Sequence, residues 1–370
     1  MKALIILIDG GDPAYFEAAP TPNLDQLARE GRRLLVKAQM PTVTNVNNVS
    51  LICGAPPARH GITANYFLDA DTKREVYMES AAYLLSPTLM ERGAAAGRGT
   101  AVLASKQKLC DMIGKGAGLV ATAEDPPAWL LERAGKKEAI YSGEVNLWLL
   151  RAALAVIAER RPDLLYVATT DYIQHMHGPG SPEAQAHHAA LDREIGRLAD
   201  AWADLHAEGA LFVTADHGMR EKRRALDLGR ILWGRGVPAE AVPIIKDRYV
   251  LHHGNQGGSA YVHLKFPDTL TEALALLKET PGVEEALPRE EAARRFRLLP
   301  GRIGDIMALA DAETVFGALE EAEREVALRS HGSLHEEEVP LWAWRAPFFR
   351  PEGATHHFDA VRAVMEGLGG

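Results

Sequence analysis

Unbroken apolar runs alternate with stretches of helical period along most of this chain. ALIILI (3–8), GTAVLAS (99–105), DLLYVATT (163–170) and ALFVTA (210–215) show no alternation of polar and apolar positions. Strands covered by helices on both faces read this way. RRLLVKAQM (32–40), ending at Pro41, and VPLWAW (339–344) are two further strands. TPNLDQLAREG (21–31) reads as a helix with Thr21 as N-cap, Pro22 at the first helical position and Gly31 as the stop. Residues 85–97, 144–160 and 182–209 are helical, and 356–368 form a closing helix. The alternation predicts an α/β fold: a mainly parallel sheet between helix layers.

The texture changes between about 221 and 325. SAYVHLKF (259–266), LTEALALLKETPGVEEAL (270–287) and a charged helix around 312–327 read as a smaller α+β insertion. The expected organisation is a core of 1–220 and 326–370 with a cap of 221–325.

Parallel sheets bind ligands beyond the carboxyl ends of their strands. Asp9, Thr44, Lys106, Asp171 and Asp216 all fall there. Thr44 lies in PTVTNVNNVS (41–50), where Asn45, Asn47, Asn48 and Ser50 favour helix caps and Leu51–Ile52–Cys53 is closed by Gly54. A hydroxyl at a helix start lies where free N–H groups and the helix dipole favour an anion, which makes Thr44 a candidate nucleophile. Taken alone it reads as a capping threonine, since caps far outnumber nucleophiles.

Asp9, Asp171 with His175 in DYIQHMHG, Asp216–His217 in TADHG, and His331 in SHGSLH could form two sites of three protein ligands each. Such mixed carboxylate and imidazole sets suit zinc, manganese or iron. Asp171 and His175, four apart, share a face of any helical turn. Each residue alone reads as a turn or a cap; together at strand ends they point to a metal centre. His335 stands as the alternative to His331. On spacing alone Lys106 and Lys108 are a solvated strand end, with side chains on one side of an extended segment. GKGAG (114–118) lacks P-loop spacing. His187–His188 are expected to face solvent, and His252–His253 and His356–His357 stay unassigned.

Composition changes this picture little. The chain has 370 residues and a net charge of −9, with no Lys/Arg run of note, so a nucleic-acid polymer is not an expected partner. Two cysteines make no disulfide framework, and the N-terminal apolar run is too short for a signal core or a membrane span. A cytoplasmic protein with no membrane partner is expected, and a homodimer is allowed.

The order Asp9, Thr44, Asp171-xxx-His175, Asp216–His217, His331 resembles the alkaline phosphatase superfamily over 1–217 and about 328–345. PTVTNVNN, the asparagine of HGITANYF, the SKQK pair and TTDYIQHMHGPG carry the nearer likeness, to phosphonoacetate hydrolases and then to nucleotide pyrophosphatase/phosphodiesterases. The resemblance implies an alkaline phosphatase-like core and two Zn2+ ions, with Mn2+ or Fe2+ as substitutes. One ion would be held by Asp9, Thr44, Asp216 and His217, the other by Asp171, His175 and His331. Asn65 would take a phosphoryl oxygen, and Lys106 and Lys108 the substrate carboxylate. The implied reaction is hydrolysis of the C–P bond of phosphonoacetate to acetate and phosphate through a phosphothreonine. Two alternatives stand beside it. One is a nucleotide phosphodiesterase, for which Tyr66 and Phe67 offer aromatic walls. The other is a non-catalytic metal-binding relative.

Overall fold

The computed structural model describes residues 1–69, 72–249 and 252–369. Its main sheet has seven strands, in the order Arg32–Lys37, Glu338–Trp344, Ala210–Ala215, Ala3–Ile8, Leu164–Ala168, Thr100–Ala104 and Leu119–Thr122. The five from Ala210–Ala215 to Leu119–Thr122 pair in parallel. Glu338–Trp344 runs antiparallel to both of its neighbours. Two reversals restore direction, so Arg32–Lys37 points the same way as the parallel five. Residues just before Glu338 therefore arrive at the same sheet edge as residues just after the other strands.

The absence of alternation in ALIILI has a simple cause. Ala3, Ile5 and Leu7 enter one hydrophobic core, and Leu4, Ile6 and Ile8 enter the other, all at most 1 % exposed. Burying each large aliphatic side chain contributes about 1.5–3 kcal/mol, so a polar residue on either parity is costly. Helices Thr44–Cys53, Leu89–Ala95, Gln107–Ile113 and Asp359–Glu366 cover the first face. Pro22–Glu30, Glu144–Arg160 and Pro182–Leu205 cover the second. The helix starting at Pro22 has Thr21 as N-cap and ends at Gly31, as the sequence predicts.

The helix Thr44–Cys53 is buried on every face. Its N-cap is Val43, with Thr44 the first helical residue, and Gly54 closes it in the left-handed region at φ 57°. The asparagines expected as caps work inside the helix as ties. Asn48 donates to the Thr44 carbonyl and accepts from the Tyr166 hydroxyl, and Asn45 donates to the Met78 carbonyl. Both Asn48 groups are thereby satisfied, whereas Asn45 Oδ1 stays buried without a partner.

Three expectations need correction. The charged helix near 312–327 is absent: Thr314–Phe316 and Glu323–Ser330 are strands on either side of Arg220–Leu226. Opposite charges meet across that small sheet, Arg224 with Glu323 at 3.0 Å and Arg329 with Glu221 at 3.4 Å, so cross-strand pairing overrides the helical charge pattern. His187 and His188 are buried, not solvent-facing. His188 stacks on Tyr15 at 4.6 Å, and the spacing Ala184, His188, Leu191, Ile195 puts it on the apolar stripe. The segment around Lys106 is not extended throughout, since Lys106 is the N-cap of Gln107–Ile113 and Lys108 lies inside that helix.

Between residues 221 and 325 a four-stranded antiparallel sheet, Ala239–Pro243, Ser259–Leu264, Ile306–Ala310 and Val283–Pro288, packs on helices Leu228–Gly234 and Leu270–Glu279 around its own core. Its other side joins the main core through Ile244, Ile245, Tyr261, Phe296 and Met307. Among the described residues no helix is long and apolar enough to cross a membrane.

Candidate active site and metal centre

Asp9 follows Ala3–Ile8, Asp216 and His217 follow Ala210–Ala215, and Asp171 follows Leu164–Ala168 by three residues. Asp171 is the N-cap of the short helix Tyr172–Met176, which carries His175 one turn on. His331 lies in the connection that enters the antiparallel strand Glu338–Trp344, so the reversed strand delivers it to the same edge. All of these, with Thr44, are buried.

The side chains converge. His217 Nε2 stands 3.4 Å from Asp9 Oδ1 and 3.5 Å from both Asp216 Oδ2 and the Thr44 hydroxyl. Asp171 Oδ2 lies 2.9 Å from His175 Nε2 and 3.8 Å from His331 Nε2. The His217 and His331 rings stack at 3.5 Å. Asp171, His175 and His331 form one group with ligand atoms within 4.8 Å of one another, and Asp9, Asp171 and His217 form a second. His335 is elsewhere, bonded to Glu284 at 2.6 Å.

The donor set fits a cation. His175 Nδ1 faces the Arg329 carbonyl at 2.7 Å, His331 Nδ1 that of Thr42 at 2.7 Å, and His217 Nδ1 that of Gly218 at 2.9 Å. A carbonyl only accepts, so in each neutral ring Nδ1 carries the proton and Nε2 turns its lone pair inward. Those lone pairs face carboxylate oxygens, which is repulsive unless positive charge lies between. Asp9 Oδ1 is buried without a hydrogen-bond partner. The protonation equilibria report the same deficit. Burial, and then the Asp9 carboxylate, push Asp216 well above the usual carboxylate range. Burial pulls His217 down, but Asp216 and Asp9 outweigh it and hold the imidazole at about 10. Burial, His217 and His175 keep His331 well below the ordinary histidine value.

Asn65 accepts from the Asn45 N–H at the start of the Thr44 helix and donates to the Ile245 carbonyl, which places its amide beside Thr44. Lys106 and Lys108 are both buried. Lys106 Nζ lies 3.7 Å from Asp171 Oδ1, and Lys108 Nζ 2.7 Å from Asp247 Oδ2. Both ammoniums lie against the Tyr249 ring, at 4.9 and 5.3 Å from its centre. They converge although only one of them is in extended backbone.

Asp247, Tyr249, His252 and His253 are the site residues that sequence reasoning missed. They come from the connection between Ala239–Pro243 and Ser259–Leu264. His252 directs Nδ1 at the Tyr249 carbonyl and leaves a buried, unpartnered Nε2 at 3.8 Å from Asp171 Oδ1. His253 Nε2 lies 3.5 Å from Asp247 Oδ1. Their signal was density, with Asp, Tyr and two His within seven residues, but the strand-end rule cannot reach a different sheet. Tyr66 and Phe67, the proposed aromatic walls, are taken: Tyr66 packs on Tyr77 under Lys246, and Phe67 on Tyr83 in the core. His357 is bonded to Asn47 Oδ1 and His356 to Arg297.

The chain is similar to known proteins in fold and in sequence. The whole chain superposes on phosphonoacetate hydrolase from Sinorhizobium meliloti 1021, solved in complex with phosphonoacetate, with a TM-score of 0.88, 32 % identity and 95 % of that chain covered. Human ectonucleotide pyrophosphatase/phosphodiesterase 5 shares the fold, with a TM-score of 0.73 at 19 % identity over 95 % of its chain. Human ectonucleotide pyrophosphatase/phosphodiesterase family member 7 is 24 % identical over 252 residues, 61 % of this chain and 50 % of that protein. The chain spans about half the length of the first curated relatives it matches. The model of type I phosphodiesterase / nucleotide pyrophosphatase matches residues 3–334, which takes in the threonine helix and every carboxylate and imidazole of the cluster. On that match the chain, an enzyme with an alkaline phosphatase-like fold, belongs to the type I phosphodiesterase / nucleotide pyrophosphatase family of metal-dependent phosphoester hydrolases.

Proposed function

We propose that this enzyme hydrolyses the C–P bond of phosphonoacetate, giving acetate and phosphate by way of a phosphorylated Thr44. The observation that carries the reading is the pair of buried ammoniums, Lys106 and Lys108, both against one tyrosine ring beside the Thr44, Asp and His cluster. The similarity to a phosphonoacetate hydrolase over the full chain supports it.

Asp9, Thr44, Asp216 and His217 would hold one Zn2+, and Asp171, His175 and His331 the other. The ions would lower the pKa of the Thr44 hydroxyl and neutralise charge on the phosphoryl oxygens. Thr44 Oγ1 releases its proton to solvent and attacks phosphorus, and the P–C bond breaks, its electron pair leaving with the CH2 carbon. That carbanion is tolerable only because the adjacent carboxylate delocalises it, and Lys106 and Lys108 stabilise the growing enolate-like charge. Water then protonates the carbon. The second N–H of the Asn65 amide binds a phosphoryl oxygen, and a water molecule hydrolyses the phosphothreonine to regenerate Thr44.

A hydrolysis panel of the zinc-loaded enzyme tests the reading: phosphonoacetate, other phosphonates, and p-nitrophenyl phosphate esters. Phosphonoacetate is expected to give the highest kcat/KM. Lys106→Met should lower that value by at least about tenfold, roughly 1.4 kcal/mol of barrier. A preference for diesters with no phosphonoacetate turnover would replace this reading with a phosphodiesterase.

A further inference from the structure

We infer that Asp247 is a specificity-determining residue, an internal carboxylate that occupies Lys108 and must be displaced by the carboxylate of an incoming substrate. The inference rests on the phosphonoacetate reading above and goes beyond it in naming what the substrate competes with.

Lys108 is not free to receive an anion. Its Nζ is 2.7 Å from Asp247 Oδ2 and 3.8 Å from Glu79 Oε1. Lys106 has Asp171 at 3.7 Å. Asp247 is thus the near partner of Lys108, since Glu79 is shared with Arg248, and a substrate carboxylate reaching Lys108 must compete with Asp247. Burial magnifies the competition, because unlike charges attract and like charges repel more strongly out of water. Asp247 is held ionised: burial alone would raise its pKa, but Lys108, His253 and Lys106 keep it well below the usual range.

Its surroundings also let it yield. Asp247 Oδ1 accepts from the Tyr249 N–H at 2.7 Å and lies 3.5 Å from His253 Nε2. Its own N–H donates to Asn255 Oδ1 at 3.1 Å. Losing Lys108 therefore removes the partner of Oδ2 only. Glu79 keeps Arg248 on its other oxygen, at 2.9 Å. A carboxylate-bearing substrate is bound only by molecules whose Lys108 has let Asp247 go, so its apparent affinity is reduced by that fraction. A substrate without a carboxylate does not need Lys108. If Asp247 instead merely positioned Lys108 for the substrate, removing its charge would have the opposite sign.

Zinc-loaded Asp247→Asn keeps the shape and an acceptor for the Tyr249 N–H while removing the charge. The expected result is that the ratio of KM for phosphonoacetate to KM for p-nitrophenyl phosphate falls by about threefold or more. An unchanged or higher ratio overturns the inference. Should wild type hydrolyse the aryl phosphate but not phosphonoacetate, the substrate reading fails. Inhibition of aryl phosphate turnover by malonate then decides separately, since tighter inhibition of Asp247→Asn supports the competition and equal or weaker inhibition overturns it. Asp247→Ser, read in the same two assays, serves if the asparagine variant melts early.

Discussion

Asp171 and His175 face each other at 2.9 Å, carboxylate to Nε2, while the other nitrogen of His175 is tied to the Arg329 carbonyl at 2.7 Å. The ring is thus held from behind by a backbone acceptor and turns Nε2 towards an anion, an arrangement that needs a proton or a metal ion between the two. Burial raises the Asp171 pKa, but His175, Lys106 and His252 together hold it well below the ordinary value, so the carboxylate is ionised. This pair, repeated in kind at His217 and His331, is the physical reason to expect bound metal.

Metal removal should therefore destabilise the fold as well as stop turnover. Ligands at roughly 1,000 times Kd stabilise by about 4 kcal/mol per site. Chelation is expected to lower Tm by on the order of 5–10 °C, with elemental analysis of the untreated protein giving about two ions per chain. A chelated protein with the same Tm and full activity would end the metal-centre proposal.

Thr44→Ala removes the proposed attacking oxygen and leaves the six proposed carboxylate and imidazole ligands in place. Its kcat should fall by roughly three orders of magnitude or more, with metal content largely kept. Thr44→Ser should retain far more activity than the alanine variant. Near-normal turnover by Thr44→Ala would assign the attack to water.

Lys222 and Glu336 form a fully buried pair at 2.8 Å. Glu336 Oε2 accepts from the N–H and hydroxyl of Ser333, whose carbonyl accepts from Thr42, whose own carbonyl holds His331 Nδ1. Lys222→Met strands a buried charge and should cost about 3–5 kcal/mol in urea unfolding. Adding Glu336→Gln should recover a large part of that loss. Equal stability of the single and double variants would show that the charge is not the cause.

Acid should weaken the protein through histidines remote from the proposed metal ligands. Burial, with Arg302 adding to it, lowers His60 to about 3; burial and then His188 lower His187 to about 3; burial lowers His188 to about 4. With folded values depressed below 6.5, the unfolded chain binds more protons in acid, so stability is full above pH 6.5 and declines towards pH 3–4. Each histidine adds about 1.4 kcal/mol per pH unit to the slope, and His188→Gln should remove one such increment. Urea midpoints at pH 7.5, 6 and 5 measure it; a flat series would contradict the assignment.

Local order sufficed for the sheet and for the ligand-edge residues. ALIILI needs no partner in view to be read as a doubly covered strand, since its even and odd residues must both be buried. Asp9, Thr44, Asp171 and Asp216 then fall at one edge because parallel strands share a direction. What local pattern could not supply was anything set by contacts between distant segments. The charges of 312–330 satisfy a helix or a strand equally, and pairing with Arg220–Leu226 selected the strand. His187 and His188 read as polar in sequence, while Tyr15, on which His188 stacks, lies on another helix. Lys108 and Asp247 meet across 139 residues, from two different sheets, and no periodicity within either segment encodes that contact. Burial parity is a property of a strand alone, whereas the pairing of a buried charge belongs to the folded chain.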